Sequence, residues 1–118
     1  MEAFNKKVLN SIESLDGAIE HSDMVLYSRK IYGQYMPSSD EVCWHRSFKV
    51  KVVEVKAQFS MVTKARDSIS AFIADLQDQF EELKERFETC EFPIHRDMGY
   101  ISGLDFAIKT ITEVITDE

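Results

Sequence analysis

Turn-forming residues are scarce in this chain. Four glycines and two prolines in 118 residues leave little material for the tight turns of a sandwich or barrel, and they favour long helices with few connections. The two cysteines, Cys43 and Cys90, are too few for a disulfide scaffold, and their thiols are expected to be reduced. No apolar run approaches the roughly 18 residues that a membrane-spanning helix needs, and 30% of the residues are charged. Met1-Glu2-Ala3-Phe4-Asn5 lacks the basic-then-apolar layout of a secretory signal. The expected setting is cytoplasmic, with no membrane partner. A Gly-rich phosphate loop, a Gly-x-Ser-x-Gly elbow and a Cys-His nucleophile pair are also missing, so we expect neither an enzyme nor a cofactor.

What the chain has is periodicity. Phe48, Val52, Val55, Phe59, Val62, Arg66, Ile69, Ile73, Leu76, Phe80, Leu83 and Phe87 follow an unbroken 4-3 spacing, and eleven of the twelve are apolar. Residues spaced this way lie along one face of a helix, and over more than five heptads they form a coiled-coil seam. The β-branched run from Phe48 to Val55 would also suit a short strand, but the register passes through it without a break, which favours helix. Val8, Ile12, Leu15, Ile19 and Leu26 carry the same spacing near the start, with Ser22 as a polar gap. Ile101, Leu104, Ile108, Ile111 and Ile115 carry it near the end.

The spacing predicts one all-α domain (1–118) of three helices, at about 3–33, 39–90 and 94–117. Gly33 and Pro37 close the first helix. Ser38 and Glu41 form a capping box for the second, and Pro93 ends it. The central helix would be about 75 Å long, with helices of about 45 and 35 Å folded back along its two halves. Two helices cannot enclose a seam that is apolar on every member, so the expected assembly is an antiparallel homodimer forming a four-helix bundle. Charge selects the orientation. Arg46, Lys49, Lys51, Lys56, Lys64 and Arg66 against Glu54 give +5 in the first half of the long segment. Asp67, Asp75, Asp78, Glu81, Glu82, Glu85, Glu88 and Glu91 against Lys84 and Arg86 give −6 in the second. Arg66 falls near the midpoint, where it would either set register at a two-fold axis or snorkel out beside the end of a neighbouring helix.

Candidate chemistry is thin. Cys43, His45, Cys90 and His95 are zinc-binding residue types, but their spacing matches no usual finger. On a continuous central helix the two pairs would also lie about 70 Å apart, so no metal site is expected. Glu81, Glu82 and Glu85 with Glu113 and Asp117 are similar in residue type to the magnesium-holding carboxylates of all-α nucleotide pyrophosphatases. The second half is spaced one residue too wide, and the first reads as a solvated helix face. Gly99 and Gly103 either admit close approach of another backbone or are a tolerated surface pair.

Two surfaces stand out as partner-binding candidates. Tyr27, Arg29, Lys30, Tyr32 and Tyr35 end the first helix, while Trp44, Arg46 and Lys49 begin the second; a hairpin would gather them at one tip of the rod. Such residues suit a protein hot spot and, as a weaker expectation, single-stranded nucleic acid. The acidic strip Asp75, Asp78, Glu81, Glu82, Glu85 and Glu88 could imitate phosphates and inhibit a nucleic-acid-binding protein. The leading expectation is a non-enzymatic helical adaptor or inhibitor that dimerises and binds another protein. Small acidic helical proteins of this kind are common among phage and mobile-element accessory factors.

Overall fold

The computed structural model of the chain describes residues 2–31, 39–89 and 95–116, with side chains at all of them except 2, 28–31 and 39. They form four α-helices and no strand: α1 (Glu2–Ile31), α2 (Ser39–Phe59), α3 (Arg66–Thr89) and α4 (His95–Ile115). The all-α expectation holds, and Phe48–Val55 is helical. Three helices become four because the expected central helix breaks at 60–65. Ser38, Gly33, Pro37 and Pro93, the expected cap and stop signals, lie outside the described residues.

The break is made by local hydrogen bonding. The Ser60 hydroxyl donates back to the Lys56 carbonyl at 2.9 Å, an oxygen that also receives the Ser60 N–H at 3.0 Å. The next two amides, of Met61 and Val62, donate to Gln58 and Phe59 at 3.1 and 3.0 Å. These are three-residue spacings, so the last turn tightens and stops instead of propagating. Val62 and Thr63 lose side-chain freedom in a helix and do little to resist this. A new helix starts where the Ile69 N–H reaches the Ala65 carbonyl at 3.2 Å.

The chain reverses at the break. α1 runs antiparallel to α2, with Asp23 beside Lys49 and Asp16 beside Lys56. α3 runs antiparallel to α4, with Leu83 and Phe87 beside Ile101. α4 runs parallel to α2 and packs against all three other helices. The longest dimension is 48 Å, about the length of α1 alone, so the 75 Å rod does not form. Folding back gives α4 three partners, which buries Leu104, Ala107, Ile111 and Val114 together with Val8 and Leu15 of α1, Val52, Val55 and Phe59 of α2, and Ile69, Ile73 and Leu76 of α3.

This core overturns one expectation about the seam. Val52, Val55, Phe59, Ile69, Ile73 and Leu76 are covered within a single chain, so no second copy is needed to enclose them. Phe48, Val62, Phe80 and Leu83 are half-buried against the same core. Phe87 is half-buried outside it. Arg66 is exposed and donates to the Ile115 carbonyl; it sits beside the end of α4, as the snorkelling alternative had it. Lys7 donates to the Thr116 carbonyl at 2.7 Å. The last turn of α4 has no basic residue of its own, and these two cations from α1 and α3 meet its unpaired carbonyls and the negative end of its dipole.

Gly99 and Gly103 explain how α4 reaches α2. A Cβ at Gly99 would collide with the Trp44 carbonyl oxygen and lie 2.9 Å from the Ser47 Cβ. At Gly103 it would lie 3.0 Å from the Phe48 carbonyl oxygen and 3.1 Å from the Lys51 Cβ. The close-approach alternative is the one the fold uses. Gly17, by contrast, has open space where a Cβ would go. Alanine is worth roughly 0.8–1 kcal/mol over glycine in a helix interior, so Gly17→Ala is expected to raise stability by up to that amount. Gly99→Ala is expected to lower it by about 1–3 kcal/mol despite the same propensity gain, because backbone at the contact must move. Urea unfolding followed by circular dichroism checks both signs.

Candidate functional site

Four residues of the expected aromatic-basic tip, Tyr27, Trp44, Arg46 and Lys49, have described side chains. Tyr32 and Tyr35 lie outside the described residues, as do the side chains of Arg29 and Lys30. Tyr27, Arg46 and Lys49 do come together, lining an open cleft of about 510 Å³ between α1 and α2 with Glu20, Asp23, Met24 and Leu26. Trp44 leaves the group. It stacks on Phe48 with ring centroids 5.0 Å apart and lines a separate cleft with Asp40, Glu41, His45 and His95.

Three of the four cations of α2 have ion-pair partners. Lys49 pairs with Asp23 at 2.5 Å, Lys56 pairs with Asp16, and Lys51 lies 3.6 Å from Glu54. α1 therefore supplies the carboxylates that an antiparallel mate was expected to bring from its acidic half. Those pairs also reduce the positive potential that a nucleic-acid backbone would need. Counted by helix, α1 carries five carboxylates and four cations, and α2 three and four, so the pair is neutral. α3 carries seven carboxylates against three cations and α4 three against two, leaving −5 on the α3/α4 hairpin.

Sequence reading missed a surface on α2. Arg46, Val50, Val53 and Ala57 follow one another at helical spacing on the side away from the seam, and all four are exposed. Val50 is 53% and Val53 43% exposed; across the groove on α1, Met24 is 69% and Tyr27 59% exposed. The signal was present in Val50-Lys51-Val52-Val53-Glu54-Val55. A helix needs only Val52 and Val55 of this run for the seam, and the two leftover valines must point elsewhere.

The acidic strip is solvent-facing throughout: Asp75, Asp78, Glu81, Glu82, Glu85 and Glu88 are all exposed on α3. Among the described residues only Glu82 has an ion pair, with Arg86 at 3.1 Å. Glu113 belongs to a different cleft with Lys7, Asn10, Ser11, Ser14 and Thr116, so it does not join Glu81, Glu82 and Glu85; Asp117 lies outside the described residues.

The histidines correct a distance. With the central helix broken, His45 and His95 line one cleft instead of lying at opposite ends of a rod. Cys43 is exposed and Cys90 lies outside the described residues. Among the described residues no group of three His, Cys, Asp or Glu is placed to hold a metal ion. His95 approaches Asp40 at 3.5 Å. His45 Nδ1 is 3.1 Å from the Ser22 hydroxyl, which fills the polar gap left by Ser22 in the α1 seam, and the His21 ring lies 6.0 Å away, edge-on.

Burial holds the His45 imidazole below its usual protonation range, His21 lowers it further, and Glu41 opposes both. A base depressed in the folded state contributes stability above its unfolded value, about 6.5, and loses it as pH falls through the folded value. The urea midpoint should therefore drop as pH falls below about 6.5, and His45→Gln should flatten that drop. An equal slope in the variant would remove His45 as its source.

Among the described residues no helix is long and apolar enough to cross a membrane. No protein-family model, curated protein or solved structure matches the chain, and its own surface chemistry carries the functional reading.

Proposed function

We propose that this chain is a non-enzymatic helical interaction protein that self-associates through its α1/α2 face and binds another protein. The observation that carries the reading is the exposure of Met24, Tyr27, Val50 and Val53 around Arg46. Single exposed apolar residues are ordinary. Four large ones on two adjacent helices, a tyrosine among them and an arginine beside them, have the composition of an interface centre.

Charge and register suit a second copy. The face has an acidic row on α1 (Glu13, Asp16, Glu20, Asp23) beside a basic row on α2 (Arg46, Lys49, Lys56). A two-fold axis along the helices lays each α1 over the other copy's α2, acids on bases, with neighbouring helices antiparallel. Within one chain Asp23 pairs with Lys49 and Asp16 with Lys56, which gives the heights of the two helices relative to each other. At those heights Met24 and Tyr27 of one copy fall over Val50 and Arg46 of the other. Apolar burial supplies affinity, and the rows select orientation. The dimer is thus proposed on a surface that leaves the core seam in place, and its two copies run parallel where the charge reversal along 46–91 suggested an antiparallel pair.

Sedimentation velocity tests this. The chain is expected to be dimeric at about 10 µM and above, with a concentration-dependent monomer fraction below. Val53→Glu combined with Met24→Glu, both at exposed positions, should give monomer with an unchanged helical spectrum. A wild-type monomer at about 100 µM would overturn the dimer.

A further inference from the structure

The distal half of the α3/α4 hairpin carries an apolar groove that the core does not use. Ile69, Ile73 and Leu76 anchor the first half of α3. Phe80 and Leu83 reach the core only partly, and Phe87, Met98 and Ile101 lie outside it. Phe80, Phe87, Met98 and Ile101 line one opening of about 300 Å³ with Lys84, Glu88 and Ser102. On the other side of the Phe87–Ile101 contact line, Leu83, Arg86 and Asp97 complete a second opening of about 270 Å³. Apolar side chains from two antiparallel helices, open on both sides, form the kind of trough that accepts the apolar face of another helix.

Charge decides what can lie there. The two helices of the hairpin hold −5 of the chain's −7, and Asp75, Asp78, Glu81, Glu85 and Glu88 have no ion-pair partner among the described residues. A second copy of the same hairpin would bring −5 against −5. The α1/α2 half of a second copy is neutral, eight carboxylates against eight cations, and so offers no excess cation. We propose that the α3/α4 groove docks a cationic amphipathic helix of a different protein, its apolar face on Phe80, Phe87, Met98 and Ile101 and its Lys or Arg flank on Glu88, which lines the groove beside Lys84, and on Glu81, two turns earlier on the same face of α3. The proposal rests on the reading of the chain as an interaction protein, but not on its dimer, since the α1/α2 face is a separate surface.

The probe is a fluorescein-labelled peptide of about 18 residues, some five turns, with leucines at helical i, i+3, i+4, i+7 spacing and lysines on the remaining faces. One control has glutamate in place of lysine. A second keeps the composition and scatters the leucines. The expected result is saturable binding of the first peptide in fluorescence anisotropy, at one per chain, and none of the controls. Phe87→Ser with Met98→Ser should weaken it about tenfold, the equivalent of ~1.4 kcal/mol. Glu81→Lys with Glu88→Lys, at exposed positions, should weaken it several-fold at low salt and less at high salt.

Absence of binding by the wild-type chain would overturn the proposal. Binding that is lost on charge reversal but untouched by the apolar pair would also overturn it, because the carboxylates would then be acting alone, as phosphate mimics do. Circular dichroism of each variant separates lost docking from lost fold; if Phe87→Ser unfolds, Met98→Ser with Ser102→Arg fills and charges the groove from α4 instead. Sedimentation of the same samples keeps the two readings apart. A dimer that ignores the peptide fails the groove proposal alone, and a monomer that binds it fails the dimer alone.

Discussion

The fold depends on how closely α4 approaches α2. Gly99 and Gly103, with Ser47 opposite, let the two backbones meet where any larger side chain would hold them apart. Because that contact uses one face of α4 at almost no side-chain thickness, its remaining faces are free to cover α1 and α3. The single central helix of the structure is therefore α4, the one with the most engaged neighbours, and not the long segment that carries the seam. With α4 surrounded, its C-terminal carbonyls lie beside Lys7 and Arg66, and two helices that are distant in sequence supply the cap it lacks.

The same arrangement separates the charge. α2's lysines meet α1's aspartates because α1 folds back along α2, and the pairs form within reach of one another without a second molecule. Exposed pairs of this kind contribute little to stability, roughly 0.2–1 kcal/mol each. Their larger consequence is on the field outside the molecule. They neutralise one half of the surface and leave the other half, α3 and α4, strongly negative. A chain with an evenly spread −7 would repel every copy of itself equally. This one has a neutral side, α1 and α2, and an acidic side, α3 and α4.

Much of the helical content was legible in the sequence, because apolar residues repeating every 3.6 positions line up on one face only when the backbone is helical. The path of the chain was not. Phe59, Val62, Arg66 and Ile69 keep the 4-3 spacing straight through the break, since the pattern reports which side chains are buried and not whether the backbone between them is continuous. The break contains no glycine or proline; it is made by Ser60 bonding back to Lys56 and by two tightened amide bonds. From that one misread junction came the rod, the separation of His45 from His95 and the need for a mate to cover the seam. Gly99 and Gly103 were legible as alternatives, and packing chose between them. Val50 and Val53 were legible in principle, as valines in excess of what one seam can take. Ser22 and His45 were not, because a polar gap gives no sign of which distant residue will fill it.

The groove follows from this architecture as well. α3 is fully buried in the core only as far as Leu76 and touches it beyond through half-buried Phe80 and Leu83, while α4 packs on both α2 and α1. The floor of the groove, Met98 and Ile101, therefore sits on a helix immobilised from behind by the glycine contact. Its wall, Phe80 to Phe87, sits on a helix that ends free of the core. Covering Phe87 and Ile101 would also extend the buried seam to its last residue, Phe87, which a single chain leaves half-buried outside its core.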